Sequence, residues 1–183
     1  MYSLSPGSGW INEARQLHSP NCDQRPEGAG PELIVIHGIS LPPGEYGGSG
    51  IDQLFSNTLN PDEHPYYREI AGLEVSSHLL IRRDGELVQY VDLFDRAWHA
   101  GASCHDGREC CNDFSIGIEL EGTDEEPYTE NQYAVLAEVI SMLRKAIPTL
   151  ETAPLVGHSD IAPGRKTDPG PAFIWEDLHS RLV

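Results

Sequence analysis

Between Gly157 and Pro171 the chain reads Gly-His-Ser-Asp-Ile-Ala-Pro-Gly-Arg-Lys-Thr-Asp-Pro-Gly-Pro. His158 and Asp168 stand at its two ends, and Lys166 lies two residues before the aspartate. The prolines and glycines forbid a single helix, so these polar groups sit on a stiff, irregular backbone. Pro169 also biases Asp168 toward extended backbone. An imidazole and a carboxylate placed this way suggest a metal, and the lysine between them suggests chemistry at that metal. His37 follows the apolar run Leu33-Ile34-Val35-Ile36. Two neutral imidazoles and one carboxylate leave a fourth tetrahedral position open, which is the donor set of a catalytic zinc. The same donors also describe the facial triad of a non-haem iron oxygenase.

Glu119 lies within Gly117-Ile118-Glu119-Leu120-Glu121-Gly122. A carboxylate inside an apolar strand is costly to bury without a partner. Strand alternation puts Glu119 and Glu121 on one face, opposite Ile118 and Leu120. If that face looks into a cleft, Glu119 can serve as a general base; otherwise both glutamates face solvent. Lys166 is either a solvated surface lysine or a stabiliser of a developing oxyanion. Among the remaining histidines, His18, His64, His105 and His179 read as ordinary surface or core residues rather than ligands, and His78 as a packed, hydrogen-bonded one. His99, beside Trp98 in Ala97-Trp98-His99-Ala100-Gly101, either lines a substrate groove or caps a strand.

These groups need rigid elements behind them. Leu33–Ile36 is a continuous β-branched run, the pattern of a strand buried on both faces. Residues 75–82 and 86–91 read as two strands joined at Arg83-Asp84-Gly85, where the Asp-Gly pair favours a tight hairpin. Residues 114–120 and 153–156 read as further strands. Leu136, Val139, Ile140 and Leu143 follow one helical face over 132–145, opened by a Thr129/Gln132 capping box and stopped by Pro148. Shorter helices are expected at 51–55 and 173–182. Residues 41–50, with two prolines and four glycines, form a loop directly after His37 that is expected to rim the site. The fold class is therefore α/β, a mixed central sheet flanked by helices, with an irregular leader over 1–31 packed on a single domain over 32–183.

Composition sets outer limits. The 183 residues suit one domain. Twelve basic residues against 29 acidic ones give a formal charge of −17, which argues against nucleic acid or an anionic membrane as partner. No apolar run is long enough to span a bilayer, and residues 1–10 lack the charged and apolar regions of a secretory signal. Arg82, Arg83, Arg96, Arg108, Arg165 and Lys166 all fall near the candidate segments, so a locally positive cleft for an anionic substrate is expected. Cys22, Cys104, Cys110 and Cys111 form no C-x-x-C pair; free thiols are the expected state, although the adjacent Cys110-Cys111 could form a vicinal disulfide.

Taken together, residues 36–45, 81–86, 96–101, 111–124 and 157–171 resemble the N-acetylmuramoyl-L-alanine amidases, and among them the AmpD-type enzymes of peptidoglycan recycling. The resemblance covers the chain from about Gly9 onward, and the fold it implies is shared with the peptidoglycan recognition proteins. It implies one zinc ion on His37, His158 and Asp168, with Glu119 as proton acceptor and Lys166 as transition-state stabiliser. It further implies a small anionic muropeptide as substrate, cut at the amide between 1,6-anhydro-N-acetylmuramic acid and L-alanine, by a cytoplasmic monomer. Gly38, Glu74 and Cys110 match positions that look toward the muropeptide, and Trp98 and His99 stand beside them as candidate substrate contacts. Three of these depart from the family pattern, with Gly38 in place of Asn and Glu74 and Cys110 each in place of Arg. Loss of two bidentate anion contacts predicts weaker holding of the peptide stem. A non-catalytic peptidoglycan-binding module is the competing reading for this fold.

Overall fold

The computed structural model describes residues 1–182. In chain order its strands are β1 (Arg15–Gln16), β2 (Cys22–Asp23), β3 (Leu33–Ile39), β4 (Leu79–Ile81), β5 (Leu87–Gln89), β6 (Arg96–Ala97), β7 (Cys104–His105), β8 (Arg108–Glu109), β9 (Ser115–Glu121) and β10 (Leu155–Gly157). The α-helices are α1 (Gly50–Phe55), α2 (Pro65–Glu69), α3 (Glu130–Ala146), α4 (His158–Ile161) and α5 (Trp175–Arg181). One six-stranded sheet runs in the order β1-β5-β4-β9-β3-β10. Only the β4–β5 hairpin is antiparallel; the other neighbours pair parallel. The architecture is the mixed α/β sheet expected from the alternation of strand and helix patterns.

Strand alternation separates two cores. Ile34 and Ile36 of β3, Leu79 and Ile81 of β4, and Ile116, Ile118 and Leu120 of β9 pack on one face against Leu136, Val139, Ile140 and Leu143 of α3. Those four helix residues are fully buried, each stabilising the fold by about 1.5–3 kcal/mol on area grounds. The capping box at Thr129 and Gln132 is present. On the other face Leu80 and Val88 join Ile51, Leu54 and Phe55 of α1 and Tyr67 of α2.

Two local readings change. The segment 75–82 is only three residues of ladder, because Ser76, Ser77 and His78 engage loop and β9 backbone instead: Ser77 Oγ donates to Gly117 O, and His78 Nδ1 accepts from Gly117 N–H. The segment 1–31 is not wholly irregular. Arg15–Gln16 adds an edge strand to β5, and Ile11 is fully buried in the core. Its backbone is recruited by the buried Gln89, whose side chain accepts from Ile11 N–H and donates to Gly9 O. Among the described residues no helix is long and apolar enough to cross a membrane.

Gln132 couples the cap to the sheet. It is fully buried; its Nε2 donates to Ile81 O and Glu121 O at the ends of β4 and β9, while its Oε1 accepts from Thr129 N–H. Gln132→Ala is expected to lower the unfolding free energy by about 2–4 kcal/mol through a lost cap and stranded carbonyls. A denaturant midpoint equal to that of the parent chain would show that these bonds contribute nothing net.

Candidate metal centre and cleft

The parallel register sets the site. β3 and β9 pair so that His37 lies opposite Glu119, and β10 pairs with β3 up to Gly157 opposite Ile36. His158, the next residue, therefore leaves β10 at the level of His37. All three side chains emerge at the carboxyl ends of parallel strands, where α/β sheets place their ligands. The loop after α4 then brings Asp168 back: its carbonyl accepts from Ser159 N–H, and its Oδ2 accepts from Gly38 N–H.

His37 Nδ1 and His158 Nδ1 are 2.9 Å apart, and Asp168 Oδ2 is 3.2 Å from the first and 3.1 Å from the second. Among the described residues this is the one group of three or more His, Cys, Asp or Glu side chains whose donor atoms converge closely enough to hold a metal ion. Ligand bonds of about 2.0–2.1 Å in tetrahedral geometry separate neighbouring donors by about 3.3 Å, close to the spacing seen. His158 Nε2 is 3.2 Å from the carbonyl oxygen of Ala100, which can only accept. The ring proton therefore sits on Nε2, and Nδ1 turns a lone pair toward the Asp168 carboxylate. Two acceptors that face each other at this distance, one buried and one half-buried, repel unless a cation lies between them, so the donor set fits a metal.

Titration favours the same state. Burial pulls the His37 pKa down to about 4, despite the neighbouring Asp168 carboxylate, and keeps that imidazole neutral. Burial alone would raise the Asp168 carboxyl, but the His158 and His37 imidazoles beside it prevail and hold it well below the usual range. Neutral imidazole and ionised carboxylate are the forms that ligate metal.

Glu119 stands beside this group with 8% of its surface exposed. Its Oε2 is buried with no hydrogen-bond partner. Burial, reinforced by the charge of Asp168, pushes its pKa well above the ordinary carboxyl value, and the Lys166 ammonium opposes the shift. Glu121, one pleat further on the same face, is treated quite differently. It accepts from Arg82 Nη1 at 3.1 Å, from Gly47 N–H at 2.7 Å and from Arg83 N–H at 3.2 Å. Arg82 Nη1 also donates to Gly48 O, so the Glu121–Arg82 pair pins the glycine-rich loop beside the cleft.

A cleft of about 570 Å³ collects His37, Gly38, Trp98, His99, Glu119, His158, Lys166 and Asp168. One wall is apolar, built from Leu54, Phe55, Tyr66, Ile70 and Leu73, and Thr123 and Asp124 lie on its rim. Glu74 and Cys110 fall outside this lining. Glu74 borders a small neighbouring depression with Ile70 and Leu73, and Cys110 one with Ala102 and Arg165. Gly38 offers backbone only, since a β-carbon there would run into the Tyr128 hydroxyl. His99 lies behind His37, 9% exposed, with its Nδ1 2.8 Å from His37 Nε2.

The positive cleft expected from the arginines is not formed. Arg82 pairs with Glu121 and Asp52, Arg83 with Glu126, Arg96 with Asp23 and Asp113, and Arg108 with Glu32. Arg165 donates to the carbonyls of Ala100 and Ala102. With acids more than twice as numerous as bases, four of these arginines are taken up by carboxylates and the fifth by backbone carbonyls, and only Lys166 brings a cation to the cleft wall. All four cysteines are free thiols, including the adjacent pair. Sequence reasoning passed over Ser115, Asn112 and Tyr128, which contact the His99 segment and the Asp168 loop; no periodicity or spacing marks them.

Residues 27–171 match the family model described as N-acetylmuramoyl-L-alanine amidase. The chain is 57% identical over 176 residues to the 1,6-anhydro-N-acetylmuramyl-L-alanine amidase AmpD of Enterobacter cloacae, covering 96% of this chain and 94% of that protein. It superimposes on the crystal structure of a selenomethionine AmpD derivative with a TM-score of 0.94 at 53% identity, covering 98% and 100% of the two chains. A more distant likeness, TM-score 0.59 at 26% identity, is to the Escherichia coli amidase AmiD in complex with anhydro-N-acetylmuramic acid-L-Ala-D-gamma-Glu-L-Lys, covering 100% of this chain and 66% of that one.

The two glutamates of β9 should separate on substitution. Glu121→Ala removes one partner of a buried ion pair and is expected to cost about 3–5 kcal/mol of stability. Glu119→Gln in the metal-free protein should do the opposite. With its pKa raised on folding, Glu119 keeps a proton that the unfolded chain sheds above pH 4.5, so stability falls as pH rises from there toward neutrality. The glutamine variant lacks this ionisation. It should melt higher than the parent at pH 7, and the difference should vanish near about pH 4. Melting curves that stay parallel across that range would show that Glu119 is solvated.

Proposed function

The chain belongs to the N-acetylmuramoyl-L-alanine amidase family, and on that premise we propose a zinc-dependent hydrolysis carried out at His37, His158 and Asp168, with Glu119 and Lys166 acting on the substrate. The enzyme is an amidase of peptidoglycan recycling that cuts muropeptides between 1,6-anhydro-N-acetylmuramic acid and L-alanine. The observation that carries the site assignment is the convergence of three ligating atoms beside a buried carboxylate that has an unpartnered oxygen.

His37, His158 and Asp168 would hold one zinc ion, which when bound acts as a Lewis acid on the scissile carbonyl and acidifies water. In its ionised form, which the charge of a bound zinc and of Lys166 would favour, Glu119 takes the proton of the attacking water on its free Oε2. Its raised pKa makes it a stronger base than an exposed glutamate and lets it pass the same proton to the leaving amine of L-alanine. Lys166 places an ammonium where the carbonyl oxygen gains charge. The apolar wall of Leu54, Phe55, Tyr66, Ile70 and Leu73, with Trp98, excludes water from the reacting bond.

A non-catalytic binding module would have no use for Glu119, because an unpaired buried carboxylate weakens the fold without adding a contact. We further propose that the enzyme works as a cytoplasmic monomer. The free thiols suit a reducing compartment, and one chain supplies every group of the site.

The test is release of peptide from anhydromuramyl-tripeptide. The zinc-loaded protein is expected to turn it over, chelation to abolish turnover, and added zinc to restore it. Glu119→Ala should lower kcat by about 10²–10⁴-fold while retaining the metal. Turnover that survives chelation would remove the metal from the reaction, and an undiminished Glu119→Ala enzyme would remove the base.

A further inference from the structure

We propose that Ser115 and His99 form a hydrogen-bond relay that sets the tautomer of His37, and so turns its Nδ1 lone pair toward the metal. This rests on the reading of His37, His158 and Asp168 as the metal group and adds two positioning residues to it.

The direction of the relay is fixed at its far end. Ser115 Oγ lies 2.6 Å from the carbonyl oxygen of Cys111, which has no proton to give. The hydroxyl therefore donates there, and that donation uses its only hydrogen. His99 Nε2 is 3.0 Å from the same Oγ, which can now only accept, so the His99 ring proton is on Nε2. His99 Nδ1 is then a lone pair. It faces His37 Nε2 at 2.8 Å, and that nitrogen must be the donor. His37 is left with a bare Nδ1, 3.2 Å from Asp168 Oδ2. His158 reaches the same state in one step, through the carbonyl of Ala100. No carbonyl takes that place for His37; a neighbouring ring and a hydroxyl carry the instruction instead. Partners of this kind fix ring orientation and raise ligand basicity.

Two further observations show His99 held for this purpose. Its ring lies on the backbone of β9 at Gly117, where a β-carbon would come within 2.5 Å of His99 Cγ, so only glycine leaves room. The side-chain oxygen of Asn112 accepts from the N–H groups of both His99 and Ala100, at 3.1 and 2.8 Å. One asparagine thus locks the segment that supplies both histidine partners, the His99 ring and the Ala100 carbonyl.

The relay can be read without any substitution. In the metal-free parent, long-range proton–nitrogen spectra of the imidazoles should show His37 and His99 both protonated at Nε2; a His37 protonated at Nδ1 overturns the proposal. Zinc affinity, measured against a chromophoric chelator, gives a second reading. Ser115→Ala is expected to weaken zinc about 10–100-fold and to mix the His37 tautomers. Ser77→Ala removes another buried hydroxyl that bonds β9, at Gly117 O, but lies outside the relay; it should leave zinc binding unchanged. Equal zinc affinity in Ser115→Ala and the parent, or equal losses in both serine variants, overturns the relay. Failure of the parent itself to bind zinc would overturn the metal reading instead.

Discussion

The register between β3 and β9 is the constraint on which the site depends. His37 sits opposite Glu119 because Leu33 sits opposite Ser115, and seven paired residues hold that alignment. Side chains alternate along a strand, so a slip by one residue would send Glu119 into the α3 core and Ile118 into the cleft. The cost of burying a carboxylate among Ile34, Ile36 and Leu136 forbids the slipped arrangement. The hydrophobic core thus does more than stabilise: it is the device that selects the one alignment in which an imidazole and a carboxylate share a cleft.

Every second residue of β9 on the cleft face has a separate task. Ser115 ends a hydrogen-bond chain on the carbonyl of Cys111, Gly117 leaves room for the His99 ring, Glu119 faces the cleft without a partner, and Glu121 anchors Arg82 and the glycine-rich loop. The two glutamates show how environment divides identical chemistry. Glu121 is satisfied by three donors, whereas Glu119 is desolvated beside Asp168 with one oxygen free. Desolvation of this kind concentrates at sites that must react.

Much of this was legible in the chain. The α3 helix with its capping box, the hairpin at Asp84-Gly85 and the buried strands follow from local periodicity and turn chemistry, which depend on neighbours in sequence. The triad of His37, His158 and Asp168 was legible as residue types at strand ends and in a stiff loop. The positive cleft was not foreseen correctly, because counting arginines near a motif says nothing about the acids that meet them in space. Arg82, Arg96 and Arg108 each meet a carboxylate 17 or more residues away in sequence.

The sequence by itself determined the donor types, the alternation that puts Glu119 and Glu121 on one face, and the family to which the motifs point. Tertiary structure decided which glutamate is left unpaired, that Glu74 and Cys110 lie outside the cleft lining, and that His99 serves His37 from behind. These are questions of distance between segments far apart in the chain. Periodicity records which face a residue occupies, but only packing decides what stands opposite it, and hydrogen-bond direction is set by that opposite group.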